Sequence, residues 1–232
     1  MKRIITFSFD DGTMQDKRLI AMLDHYGLRG TFNLNSGAFG TVHNIVHDNI
    51  LCNHDEVCAA DVPALYANQE VAVHTVHHPN LLTCDDDRVR YEIAEDKRAL
   101  EALTGQRITG MAYPGGPYFD ERIIRIAQSC GIQWARATVS THRFDFPENF
   151  MAWDPSCWIE DPGLFVYLEQ FLEADAQTDL LFYVWAHSFE FDKYRSWDRA
   201  EAFFAAVAAK KGRLICMTNG EVYRYRTGST VQ

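Results

Sequence analysis

Two rhythms of apolar and polar positions trade places along this chain. A period-2 or unbroken apolar run reads as a strand, and apolar positions three and four apart read as one face of a helix. Strands are therefore expected over 3–9, 31–34, 71–74, 111–113, 133–138, 181–186 and 214–217. Helices are expected over 15–26, 57–68, 85–103, 120–130, 164–174 and 199–211. In the helix over 85–103, Val89, Ile93, Leu100 and Leu103 share one face, Asp85-Asp86-Asp87 opens it and Thr104-Gly105 ends it. Such alternation implies parallel strands with crossover helices, an α/β architecture in a closed or open form. Chemistry in barrels of this type gathers at the C-terminal ends of the strands. Asp10-Asp11, His74, the turn Tyr113-Pro114-Gly115-Gly116 and His187 each fall at such an end. With no internal repeat and no linker, 1–232 reads as one domain. The connection over 36–55 is an excursion over one rim, where substrate-contacting loops usually lie.

Composition narrows the partners. At 232 residues and 47% hydrophobic, the chain is long enough to bury a sizeable core. Its 22 basic and 32 acidic residues leave a net charge of -10, which argues against a nucleic-acid or anionic-membrane surface. That balance says little about a neutral sugar. Met1-Lys2-Arg3 is basic, but the apolar run after it is short and meets Asp10-Asp11, unlike a signal peptide. No stretch approaches the ~20 apolar residues of a membrane helix. A cytoplasmic location is expected, with the six cysteines, which form no Cys-x-x-Cys pair, as reduced core thiols. Cys157 has no dedicated histidine partner in the sequence and is not expected to act as a nucleophile.

The segments Ser8-Phe9-Asp10-Asp11-Gly12 and His74-Thr75-Val76-His77-His78-Pro79 carry the chemistry. Together they offer two carboxylates and a histidine pair, enough for a three-ligand catalytic metal site and a separate base. Strict strand alternation would point Asp10 and Asp11 to opposite faces. Gly12 breaks the strand and permits both to turn toward one site, one as ligand and one as base. His74 and His78 share a face on a strand and on a helical turn, whereas His77 joins His74 only on the helix. His74 and His78 are thus the expected metal pair.

These two segments resemble the first and second motifs of the polysaccharide deacetylases with a NodB-homology domain, carbohydrate esterase family 4. The resemblance spans about residues 4 to 187 and implies a distorted, seven-stranded (β/α) barrel. It implies that Asp11, His74 and His78 hold Zn2+, or another divalent metal such as Co2+, Ni2+ or Mn2+. Asp10 would then be the general base, and Thr75 would stiffen the loop by hydrogen bonding. The other three motifs depart from the pattern. The arginine that the third motif places two residues before its proline is Ala112 here. Arg136, in the apolar strand Trp134-Ala135-Arg136-Ala137, is the candidate replacement, because an arginine in such a strand is costly unless paired with a carboxylate. In the third-motif turn of Tyr113, Pro114 and Gly115, the resemblance gives Gly115 a backbone N–H for the developing oxyanion. Trp153-Asp154 corresponds loosely to the pocket-lining fourth motif, with Trp158 as a rival for the aromatic wall and an aromatic core strand as the alternative. The fifth motif, Leu-x-His, is Trp185-Ala186-His187, which makes Trp185 the acyl-pocket wall and His187 the acid that protonates the leaving amine. Glu190, just beyond His187, is expected at the surface, with a supporting place behind the site as the alternative. His43, His47 and His54 are expected to be solvent-exposed or substrate-contacting rather than a second metal cluster.

The expected function is a metal-dependent amide hydrolase that removes N-acetyl groups from an amino sugar or oligosaccharide. Two alternatives stay open: a hydrolase of another C–N bond, such as an N-formyl group or cyclic amide, and a catalytically silent carbohydrate- or metal-binding member. In every case the partner is a small carbohydrate or N-acylated molecule.

Overall fold

The structure, a computed structural model, describes residues 1–229. The chain runs β1 (Arg3–Asp11), α1 (Asp16–Tyr26), β2 (Thr31–Leu34), β3 (Asn44–His47), β4 (Ile50–Asn53), α2 (Val62–Leu65) and β5 (Glu70–Val73). It continues with α3 (Asp86–Thr104), β6 (Gly110–Ala112), α4 (Glu121–Ser129), β7 (Trp134–Arg136), β8 (Cys157–Trp158) and α5 (Leu164–Glu173). Then come β9 (Leu180–His187), α6 (Glu190–Lys193), α7 (Trp197–Ala208), β10 (Ile215–Cys216) and α8 (Asn219–Thr227). Seven strands follow one another in the order β7-β6-β5-β2-β1-β9-β8, all parallel, and short β10 pairs beside them with β1. The sheet curls into a barrel whose gap between β7 and β8 is spanned by one segment. Trp153 exchanges backbone hydrogen bonds with Ala135 and Ala137 at β7, and Cys157 and Trp158 then pair with β9.

Alternation along β1 explains the two layers. Ile5, Phe7 and Phe9 pack outward against helix residues such as Leu19, Phe203 and Phe204. Ile4, Thr6 and Ser8 point inward, where Ile4 joins Trp134, Trp153, Tyr183 and Val222. The interior above that aromatic plug is polar: Thr6 donates to Asn219 of α8 (2.8 Å), and Asn33 donates to Ser8 (2.8 Å).

Several elements differ from expectation, each for a local reason. The helix expected over 57–68 contracts to Val62–Leu65, because Pro63 suits only a first turn and cannot donate within one. The 36–55 excursion contains an antiparallel hairpin, β3–β4. Helix α8 lacks an apolar stripe but carries the Thr218…Glu221 capping box that starts it. Helix α3 follows the expected plan, with Asp85 capping Arg88 N–H at 2.8 Å and Gly105 closing it at φ 67°. All six cysteines are unpaired. Burial pushes the Cys157 thiol well up, which leaves it unreactive. Among the described residues no helix is long and apolar enough to cross a membrane.

Gly110 opens β6 against the Trp134 ring, and a Cβ there would fall 1.9 Å from two ring carbons. Gly110→Ala is therefore expected to destabilise the fold by ~1–3 kcal/mol through overpacking. The midpoint of chemical denaturation measures it, and an unchanged midpoint would contradict this packing.

Candidate active site

Sheet register builds the site. Asp10 stands opposite Asn33 on β2 and opposite His187 on β9, so three polar side chains form one row across the barrel mouth. Asn33 Nδ2 donates to Asp10 Oδ1 at 2.8 Å. Arg136 donates from Nη2 to Asp10 Oδ2 and from Nη1 to the Ala137 carbonyl, and it is fully buried. Its strand position is the register partner of Ala112, so an arginine stands one strand away from where the third motif would have it. The Trp185 ring covers the guanidinium, with its centroid 4.9 Å from Cζ. Burial pushes the Asp10 carboxyl up, yet the charge of Arg136, then of His74 and His187, outweighs it and holds the group below its ordinary value.

Asp11 reaches the same side as Asp10 because the backbone turns at Asp11 itself, with φ 78°, one residue before Gly12 at φ 83°. A left-handed non-glycine residue costs of order 1–3 kcal/mol and persists only where its surroundings impose it. The second motif is neither strand nor helix but a loop with two more such residues, Thr75 (φ 71°) and His78 (φ 52°). Thr75 Oγ1 accepts from His78 N–H at 3.1 Å, and Asn35 donates to the carbonyls of His74 and Thr75. From α3, Asp96 accepts from the N–H groups of His74 (3.0 Å) and Ser36 (2.7 Å), and Glu92 accepts from His77 N–H at 2.8 Å. Both acids lie in the buried stripe Val89, Glu92, Ile93, Asp96, Leu100. Two carboxylates inside an apolar helix stripe were the readable signal for this support.

The loop brings Asp11, His74 and His78 together, with one ligand atom from each within 4.8 Å of the others. Asp11 Oδ1 is 3.5 Å from His74 Nε2 and 3.8 Å from His78 Nε2. Ligands ~2.1 Å from a tetrahedral cation stand about 3.4 Å apart, so the spacing suits one. His74 Nδ1 must donate to the Ala112 carbonyl, 2.9 Å away, so in the neutral ring Nε2 carries the lone pair, while Asp10 and Asp11 favour positive charge at that nitrogen. That Nε2 is buried and has no hydrogen-bond partner. A cation between this nitrogen and the Asp11 carboxylate would satisfy both, and the carbonyl-bound Nδ1 is the usual support for a ligating histidine. The residues fit a divalent metal.

His187 Nε2 lies 3.9 Å from both Asp10 Oδ2 and Asp11 Oδ2, and its Nδ1 lies 3.4 Å from Glu190 Oε1. Glu190 is buried, contrary to its expected surface position, because α6 folds back under the end of β9. It accepts from His187 N–H at 3.1 Å and from Trp158 Nε1 at 2.8 Å. Burial disfavours the His187 cation, but Glu190, followed by Asp11 and Asp10, pushes the imidazole up to about 9. His54 is also buried rather than exposed, and its Nε2 donates to Asp11 Oδ2 at 3.2 Å. His43 and His47 are on the rim, and both line the cleft.

These groups open onto a cleft of about 740 Å³ that Tyr113, Gly115, Trp185 and Phe189 also line. Gly115 adopts φ 72°, a conformation that favours glycine at this turn. Pro114, Trp153 and Asp154 do not line the cleft. Trp153 belongs instead to the aromatic plug that closes the barrel, where it is 1% exposed and packs on Trp134 and Tyr183. Asp154 accepts from Val139 N–H at 3.1 Å. The expected fourth-motif pocket pair is thus part of the barrel closure.

Residues 1–135 match the family model for polysaccharide deacetylases, so the chain belongs to the polysaccharide deacetylase family. A search of curated proteins returned no match. Among solved structures the chain is similar to a carbohydrate esterase family 4 pseudoenzyme from Bacillus anthracis, at 18% identity and TM-score 0.62, covering 96% of this chain and 66% of that one. The chain thus spans just under two thirds of that relative. It is similar to the Xyl-CE4 domain of a multidomain xylanase from the hindgut metagenome of Trinervitermes trinervoides, at 14% identity and TM-score 0.60, covering 99% and 93%. A family 4 carbohydrate esterase from Streptomyces lividans, solved with acetate, gives 15% identity and TM-score 0.55, covering 88% and 89%. At these identities the likeness shows the shared barrel fold.

Removing one partner of a buried ion pair costs ~3–5 kcal/mol, whereas removing both costs less. Arg136→Met is accordingly expected to lower stability by that amount, and Asp10→Asn combined with Arg136→Met should recover part of the loss. Equal denaturation midpoints for the single and double variants would contradict the coupling.

Proposed function

We propose that this protein is a metal-dependent amide hydrolase that removes the N-acetyl group from an amino sugar or a short oligosaccharide. The observation that carries the reading is a carboxylate and an imidazole in one sheet row whose proton affinities are pushed apart. Asp10 lies below its ordinary value and His187 rises to about 9, so at neutral pH one accepts a proton and the other donates. A protein that only bound sugar would need no such pair. The family membership and the acetate in the Streptomyces lividans relative supply the acyl group by analogy.

Asp11, His74 and His78 would hold the metal, which when bound would polarise the acyl carbonyl and make a water acidic enough to attack at neutral pH. Asp10, fixed by Arg136 and Asn33, takes the proton from that attacking water. Gly115, which lines the cleft, would offer its N–H to the developing oxyanion. His187 then gives its proton to the departing nitrogen, held toward that task by Glu190. Trp185 narrows the acyl end of the cleft, and Tyr113 shapes it with its hydroxyl anchored to the Met151 carbonyl at 2.8 Å.

Acetate release from N-acetylglucosamine and its oligomers, with the protein stripped of metal and then given Zn2+, tests the reading. Zn2+-dependent release is expected, and none on any acetylated sugar would sink it. Asp10→Asn should keep the metal and lose ~10²–10⁴-fold in rate, as removal of a general base does. His74→Ala and His78→Ala should each lose one equivalent of bound metal, and full retention would refute the ligand assignment.

The pH profile separates the acid from its support. A donor with a raised pKa works below that value, so activity should fall as pH rises through about 9. Glu190→Gln removes the charge that does most to raise it, and the alkaline limb should move to lower pH. An unmoved limb would show that His187 is not the group titrating there.

A further inference from the structure

One buried pair of polar groups in the cleft is unused by this mechanism. Beyond the β3–β4 hairpin the ladder continues, with His54 N–H bonded to the His43 carbonyl (2.9 Å) and Glu56 N–H to the Thr41 carbonyl (2.9 Å). His54 and Glu56, two residues apart on extended chain, therefore share a face, and His43 stands across from His54 on the facing strand. Glu56 is also bridged to Thr13 just past β1, which anchors the ribbon to the barrel mouth. His43, His54 and Glu56 each present a ligand atom within 4.8 Å of the other two, and all three line the cleft.

The hydrogen bonds at His54 leave a place for a cation. Its Nε2–H donates to Asp11 Oδ2, so in the neutral ring Nδ1 carries the lone pair. That Nδ1 lies 2.9 Å from Glu56 Oε1, yet neither His54 Nδ1 nor Glu56 Oε2 has an aligned hydrogen-bond partner. His54 is 9% exposed and Glu56 4%. Two carboxylates flank the His54 ring, Asp11 at Nε2 and Glu56 at Nδ1, and together they favour positive charge there, which a proton on Nδ1 or a divalent cation in its place would supply. His43, its ring centroid 5.2 Å from that of His54, brings a third ligand atom to the same place.

We propose that His43, His54 and Glu56 form a second divalent-cation site in the cleft, joined to Asp11 through the His54 imidazole. Two imidazoles and a carboxylate are one of the ligand sets that hold catalytic zinc with a position left open. Asp11 then serves both sides: Oδ1 faces His74 and His78, while Oδ2 accepts from His54. A cation on Nδ1 strengthens the Nε2–H donor and fixes Asp11 more firmly. The site shares no ligand with Asp11, His74 and His78, so it stands or falls apart from the proposed activity.

Equilibrium dialysis of the metal-stripped full chain against Zn2+, followed by metal analysis, tests it without an activity readout. Two ions per chain are expected for the wild type, and one each for His43→Ala, Glu56→Gln and His74→Ala. The combination of His74→Ala with Glu56→Gln should hold none. His43 is exposed, so its replacement leaves the core intact, and circular dichroism checks the fold of each variant. A wild type with one ion that His43→Ala and Glu56→Gln both retain would overturn the second site and leave the first standing. One ion that is lost with Glu56→Gln but kept in His74→Ala would overturn the first assignment and support the second.

Discussion

The ion pair between Arg136 and Asp10 is the constraint on which the rest of the site depends. A guanidinium with no exposure in the middle of a barrel is tolerable only with a carboxylate against it, and the carboxylate only with the guanidinium. Each therefore fixes the other, and Asn33 and Trp185 complete the enclosure. The planar head of Arg136, reaching in from β7, lies under the Trp185 ring, which covers it. Ala112, the register partner of Arg136, offers the carbonyl that orients His74.

Around this pair the backbone is held in conformations it would not choose. Asp11, Thr75 and His78 all have positive φ, and they lie where the side chains of Asp11, His74 and His78 come together. Their cost is met by the groups behind them: Asn35 under the loop, and the buried carboxylates of Asp96 and Glu92 on α3. Burial raises Asp96 to about 6 even though backbone N–H groups bind it, so this support is itself electrostatically expensive. Strain of this kind, concentrated where chemistry would occur and fixed from outside, is the usual form of a preorganised site.

How much could be read from residues alone depended on whether a side chain's role was set locally or by register. Strand ends, the Asp10-Asp11 step and the His74 and His78 pair are local, and so is the demand of Arg136 for a partner. Even so, the turn that brings Asp11 round begins at Asp11 and not at Gly12. His54 and Glu56 were illegible because their meaning comes from a hairpin pairing inside 36–57 and from a bridge to Thr13. Glu190 reads from sequence as either a surface residue or a support for His187, because α6 is a single turn too short to show a buried stripe. Trp153 fits from sequence either a pocket motif or an aromatic core, and its burial is decided by how the barrel closes between β7 and β8. Asn33 had no signal beyond a polar residue in a buried strand.

The central claim is that Asp10 is a buried carboxylate kept ionised by Arg136. Infrared difference titration of the metal-free protein reads it directly, with Asp10→Asn used to assign the carboxylate band. The account predicts that the Asp10 band stays in its ionised form down to pH values below the ordinary carboxylate range. In Arg136→Met it should protonate at markedly higher pH, since burial then acts without its counter-charge. An Asp10 band that titrates at or above the ordinary range in the wild type, or at the same pH in both proteins, would contradict the account.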